Sequence, residues 1–178
     1  MKTILLLVLT TAFAYTVETE PVKVIRAYDG DTITVAGKVG GIEYPVKVRL
    51  LHVDTPEIRS NSHGEAMEEG MAARDLVRSL VLGDDVKVRL WSKGDKLNTD
   101  RYGRVLAVVM LEDGKSVQEH LVAAGLSPYW RKYGDAYGTL YDALIDAQTQ
   151  AKIDTKGLWG SNRKWIQDKS NERTAPKE

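Results

Sequence analysis

Hydrophobic and polar positions alternate in three stretches near the start of the chain: Val22-Lys23-Val24-Ile25, Thr32-Ile33-Thr34-Val35 and Tyr44 to Leu51. A period of two predicts β-strands, and the Asp29-Gly30 and Gly40-Gly41 turn chemistry between them predicts successive antiparallel pairing. In the third stretch Val46, Val48 and Leu50 share one face while Lys47, Arg49 and Leu51 share the other. Arg49 is thus placed off the apolar face, and something other than core packing must account for it.

From Glu65 to Leu82 the period lengthens to that of a helix, with Met67, Met71, Leu76 and Leu80 in one stripe and Gly83 placed to stop it. Alternation returns from Asp85 to Trp91, and Arg104 to Leu111 forms a fifth strand after the polar loop Ser92 to Gly103. Ser116 and Glu119 have capping-box spacing and open a short helix that ends at Gly125, and Tyr137 to Lys152 carries a further apolar stripe. The order βββαββαα predicts one α+β domain over residues 20–165. Five short strands and three helices suit a closed five-stranded barrel of the oligonucleotide/oligosaccharide-binding (OB) type. Residues 166–178 are charged and predicted to be disordered.

The first fourteen residues follow a different logic. Lys2, an apolar run from Ile4 to Leu9 and the small-x-small triplet Ala12-Phe13-Ala14 predict a signal peptide, 1–14. The run is shorter than the roughly 20 residues a bilayer span requires, so a secreted or periplasmic mature chain without a membrane anchor is expected. Removing Lys2 leaves 24 basic against 25 acidic residues, a net charge of −1. Binding to nucleic acid by a broadly basic surface is excluded, and any phosphate site must be local. The absence of cysteine excludes disulfides and thiolate metal sites.

Three segments carry candidate chemistry: Asp29-Gly30-Asp31-Thr32, Arg49 through Glu57, and Asp100-Arg101-Tyr102-Gly103-Arg104. Alone, the first is a hairpin turn. Alone, Asp54 and Glu57 at a strand end before and after Pro56 are a capped backbone and a solvated charge. Together they match the needs of phosphodiester hydrolysis, in which cations must meet the charge growing on phosphate oxygens and a base must activate water. Arg49 and Arg104 offer planar forks for phosphate, Asp31 and Asp54 offer hard oxygen ligands, and Glu57 offers a base. An all-oxygen donor set suits Ca²⁺ or Mg²⁺ and argues against zinc. His52 sits between Leu51 and Val53 as a packed residue, His63 and His120 lack partners at metal spacing, and the four tryptophans are read as core and tail packing.

In this order and spacing the three segments resemble the staphylococcal nuclease (thermonuclease) family, from about Val22 to about Trp159, with Arg49 to Glu57 the most diagnostic stretch. The resemblance implies a secreted, Ca²⁺-dependent nuclease acting on single- and double-stranded DNA and RNA, with little sequence specificity and 3′-phosphorylated products. It implies Asp31, Asp54 and the Thr55 carbonyl as metal ligands, Arg49, Glu57 and Arg104 as catalytic residues, and Tyr102 and Tyr133 at the substrate. A monomer is expected. The chain departs from the family's best-known member in its short loop Ile58 to His63, where Arg59 is the firm cation, and around Trp130-Arg131, which disturbs the aromatic register. The alternative is a noncatalytic nuclease-like module that binds nucleic acid or protein. Such modules usually lose acidic or arginine site residues, and none is lost here.

Overall fold

The computed structural model describes residues 15–42, 45–60, 67–93 and 96–172. The predicted signal peptide, Tyr44, Glu65, His63 and the end of the tail lie outside them.

A strand absent from the sequence prediction comes first: β1 (Tyr15–Glu18) pairs antiparallel with β5 (Asp85–Lys93). The predicted strands follow as β2 (Val22–Ala27), β3 (Thr32–Ala36) and β4 (Val46–Leu50). Helix α1 (Glu68–Val81), β5, the two-residue β6 (Lys96–Leu97) and β7 (Val105–Met110) come next. Then come α2 (Val117–Ala123), α3 (Thr139–Ile153), α4 (Leu158–Ser161) and α5 (Arg163–Asn171).

Five strands close on themselves: β2 pairs β3, β3 pairs β4, β4 pairs β7, β7 pairs β5, and β5 returns to β2. The predicted OB-type barrel is therefore the fold, with β1 and β6 as outworks on β5. One seam, β4 to β7, is parallel, pairing Arg49 with Leu106 and Leu50 with Ala107. Val24, Val35, Val48, Leu50, Val88 and Val109 fill the interior, each fully buried. A register shift between Val24 and Arg26 interrupts alternation in β2, which leaves Ile25 exposed and returns Ala27 to the interior.

The capping box of α2 is present as predicted, with Ser116 Oγ accepting from Glu119 N–H and the Glu119 carboxylate accepting from Ser116 N–H. Fully buried Gln118 docks α2 on β7, donating to the Ala107 carbonyl and accepting from Val109 N–H. The predicted disorder from 166 is corrected, because α5 runs to Asn171. Its Ile166 is buried in a second apolar cluster with Ala151, Leu158 and Trp159. A nine-residue helix gains its stability from this packing, contributed by residues distant from its own window.

Candidate active site

The antiparallel register of β3 and β4 pairs Thr32 with Arg49, and Leu50 N–H donates to the Asp31 carbonyl at 2.8 Å. Asp31, at the start of β3, is thereby set beside Arg49, which is 4% exposed although it points away from the barrel interior. Its Nη1 donates to the carbonyls of Leu50 and Val53 at 2.6 and 2.9 Å. Its Nη2 bridges two carboxylates, Asp31 Oδ2 at 3.0 Å and Asp54 Oδ1 at 2.9 Å. The Trp130 ring lies 5.3 Å from the guanidinium carbon. With Nη1 and Nη2 committed, Nε is the donor of Arg49 that makes no hydrogen bond among the described residues.

The loop after β4 is pinned from two sides. Asp54 N–H donates to Ser127 Oγ at 2.9 Å, and Thr55 N–H reaches Asp31 Oδ2 at 3.4 Å. Beyond it, Glu57 O accepts from Met67 N–H at the start of α1. Gly30 owes its identity to close packing rather than to turn geometry, because a Cβ there would meet Ala73 Cβ at 2.6 Å and Thr55 Cγ2 at 2.7 Å.

The third predicted segment forms a tight turn around Asp100, whose Oδ1 accepts from the N–H groups of Tyr102 and Arg104. Gly103 supplies the φ of +74° the turn requires. Arg104 Nε donates to Asp100 Oδ2 at 2.6 Å and Nη1 to Thr32 Oγ1 at 2.8 Å, so its Nη2 makes no hydrogen bond among the described residues. Tyr102 is 56% exposed, its ring 5.5 Å from the Arg104 guanidinium carbon.

All eight predicted site residues, Asp31, Arg49, Asp54, Thr55, Glu57, Tyr102, Arg104 and Tyr133, line one open cleft of about 980 Å³. Sequence reasoning missed three others there. Trp130 and Trp165 line the cleft rather than serving only as packing, and Lys169 of α5 reaches Asp54 Oδ2 at 2.9 Å. No local pattern marks Lys169, since a helix facing solvent on one side would show the same spacing.

Burial pushes the Asp31 carboxyl above the ordinary range, with Arg49 opposing and the charge of Asp29 adding to the rise. Asp54 moves the same way, first by burial and then by repulsion from Asp31. Arg49 and Lys169, one on each oxygen, oppose that rise by favouring the carboxylate. Burial works against the Lys169 ammonium, but Asp54 and Glu172 together outweigh it and hold the pKa above the usual lysine value.

A buried and a partly buried carboxylate, mutually repelling and beside a backbone carbonyl, form a donor set that fits a hard divalent cation. Among the described residues no three His, Cys, Asp or Glu side chains converge to cage an ion. The remaining ligands would come from backbone, water and substrate.

A barrel with two acids, two arginines and a carboxylate-bearing loop on one open face has the form of a phosphate-handling enzyme. Residues 47–161 match the family described as staphylococcal nuclease homologue, and the chain belongs to that family. It is 30% identical over 137 residues to an uncharacterized endonuclease of Escherichia coli, covering 77% of this chain and 75% of that protein. It is 32% identical over 142 residues to the endonuclease YhcR of Bacillus subtilis (strain 168), covering 77% of this chain and 11% of that protein. With the endonuclease YncB of the same bacterium it shares 35% identity over 140 residues, 77% of this chain and 60% of that protein.

Proposed function

We propose that this protein is a Ca²⁺-dependent nuclease that hydrolyses phosphodiester bonds of DNA and RNA with little sequence specificity and leaves 3′-phosphorylated ends. The observation that carries the reading is the pairing of unspent arginine donors with the acids Asp31 and Asp54. Arg49 Nε and Arg104 Nη2 belong to one cleft with Asp31 and Asp54, and the endonuclease relatives support the same chemistry.

A phosphate in this cleft meets two fixed guanidinium groups whose other nitrogens are locked on protein acceptors, so their orientation is set before substrate arrives. Glu57 lines the same cleft and takes the proton of the attacking water. Water attacks phosphorus opposite the 5′ oxygen, the P–O5′ bond breaks, and the leaving oxygen takes a proton from solvent. Asp31, Asp54 and the Thr55 carbonyl would hold the cation. When bound, that ion supplies charge neutralisation at the phosphate and orients the reacting groups. Tyr102 and Tyr133 border the cleft and offer ring faces to a base, a contact tolerant of sequence.

The working form is a monomer exported after removal of residues 1–14, a proposal that N-terminal sequencing and sizing of the secreted chain would check. Among the described residues no helix is long and apolar enough to cross a membrane.

The nuclease reading is tested by incubating single-stranded DNA and RNA with the purified protein in Ca²⁺, in Mg²⁺ and with chelator, at fixed low salt. Cleavage with Ca²⁺ that chelator abolishes is the expected result. A folded protein that binds DNA without cutting it under any metal would establish the noncatalytic module instead.

A further inference from the structure

The family match ends at residue 161, before α5 begins at Arg163. Yet α5 reaches into the centre of the cleft, where Lys169 Nζ meets Asp54 Oδ2 at 2.9 Å. This is an anchored contact. Ile166 is fully buried, the Asn162 side chain caps the helix at Trp165 N–H, and the Ser161 hydroxyl just before it donates to Glu69 of α1. At the other end Trp130 Nε1 donates to Glu172 Oε2 at 2.9 Å.

Charge and valence then set a conflict. Asp54 has both oxygens occupied by cations, Arg49 on Oδ1 and Lys169 on Oδ2. Arg49 also meets Asp31 Oδ2 at 3.0 Å, so cations already serve both carboxyl groups. A divalent cation bound at Asp54 would add two positive charges against an ammonium within contact of the same carboxylate. Removing Lys169 from Asp54 relieves this repulsion and frees an oxygen. The ammonium has somewhere to go, because Glu172 Oε1 lies 3.2 Å from Nζ. Release from Asp54 therefore does not strand a buried lysine.

The geometry points to Lys169 as a positioning residue that competes with the divalent cation for Asp54 and so sets the metal concentration at which the site loads. This inference rests on the reading of Asp31 and Asp54 as metal ligands. The helix added beyond the matched region thus acts on the metal and not only on the fold.

Calorimetric titration of the purified protein with Ca²⁺, without substrate, tests this. K169M is expected to bind Ca²⁺ roughly tenfold more tightly than the wild type, the order expected for removing one like charge a few ångströms from the ion. K169R keeps a cation at Asp54 and is expected to bind as the wild type does. K164M is the control for net charge: Lys164 lies on the same helix, pairs with Asp168 at 2.6 Å and has an 86% exposed side chain, so its loss should leave affinity unchanged. Far-UV circular dichroism checks the fold, and K169Q replaces K169M should the latter misfold.

Unchanged or weaker binding in the neutral Lys169 variants overturns the inference, as does an equal gain in K164M, which would mark a generic charge effect. Ca²⁺ heats absent from every variant and from the wild type overturn the metal reading itself and this inference with it. Ca²⁺ binding that is present but indifferent to Lys169 sinks the inference alone.

Discussion

Gly70 of α1 packs directly on the backbone of Glu57: a Cβ on Gly70 would lie 2.6 Å from the Glu57 carbonyl oxygen and 2.7 Å from that of Pro56. Neither neighbour is a movable side chain. A methyl group there must push the loop that carries the proposed base. G70A is expected to lower cleavage roughly 10–100-fold, the scale of a displacement near 1 Å at a reacting group. Steady-state kinetics beside a denaturation curve check this, and a folded G70A with full activity would show that the position of Glu57 is not critical.

Direct removal of the base gives the companion measurement. E57Q keeps size and hydrogen-bonding reach but cannot accept the proton, so kcat is expected to fall about 10²–10⁴-fold. The urea midpoint should move little, because Glu57 is only partly buried at the cleft. Undiminished turnover in E57Q would remove it from the mechanism.

Asp31 should trade stability for function. Its carboxyl is pushed up by burial, so the folded state binds the proton more tightly than the unfolded chain does. That contribution is present below the unfolded pKa of about 3.9 and is lost as pH rises through the folded value. At neutral pH the group therefore works against folding. D31N is expected to raise Tm at pH 7 while abolishing metal binding, with the gain shrinking toward pH 3. A lower Tm at pH 7 would show that the Arg49 pair outweighs burial.

Arg49 is the opposite case. Replacing it with Met leaves Asp31 buried without its cation and Asp54 with Lys169 alone, a change expected to cost about 3 kcal/mol or more in urea unfolding. R49K keeps a charge but cannot span two carboxylates and two carbonyls from separate nitrogens. It should fold better than R49M and still cleave poorly. Equal stability of R49M and wild type would contradict the bridging role.

His52 makes the fold sensitive to acid. Burial lowers its pKa to about 4, so the folded state holds the ring neutral while the unfolded chain protonates it near 6.5. Stability is present above about 6.5 and is lost progressively as pH falls toward about 4. The residue also adopts φ +64°, which Asn tolerates. H52N is expected to lose less stability than the wild type between pH 7 and pH 4.5, whatever packing it forfeits against Tyr129. Parallel pH dependences in the two proteins would exclude His52 as the source.

What the sequence made legible was local. Period-two alternation placed Arg49 off the apolar face, and the capping box at Ser116 and Glu119 needed only a three-residue spacing. The bulge at Ile25 escaped because an extra residue in a strand leaves the apolar composition unchanged. Gly30 read as a turn glycine, whereas its reason is the approach of Ala73 and Thr55 from elsewhere in the chain. Helix α5 read as a charged tail because its anchors, Ala151, Leu158 and Trp159, lie outside its own window. Lys169 was invisible for the same reason, since its partner is on a loop of the barrel.

The parallel seam between β4 and β7 has a consequence for synthesis. Asp31, Arg49, Asp54 and Glu57 all precede α1, but the strand that completes the ring begins at Val105, and the second arginine stands immediately before it. A nascent chain that has not passed this point carries most of the predicted site residues without the frame that aligns them. The cleft that these residues line is thus assembled only when the ring closes.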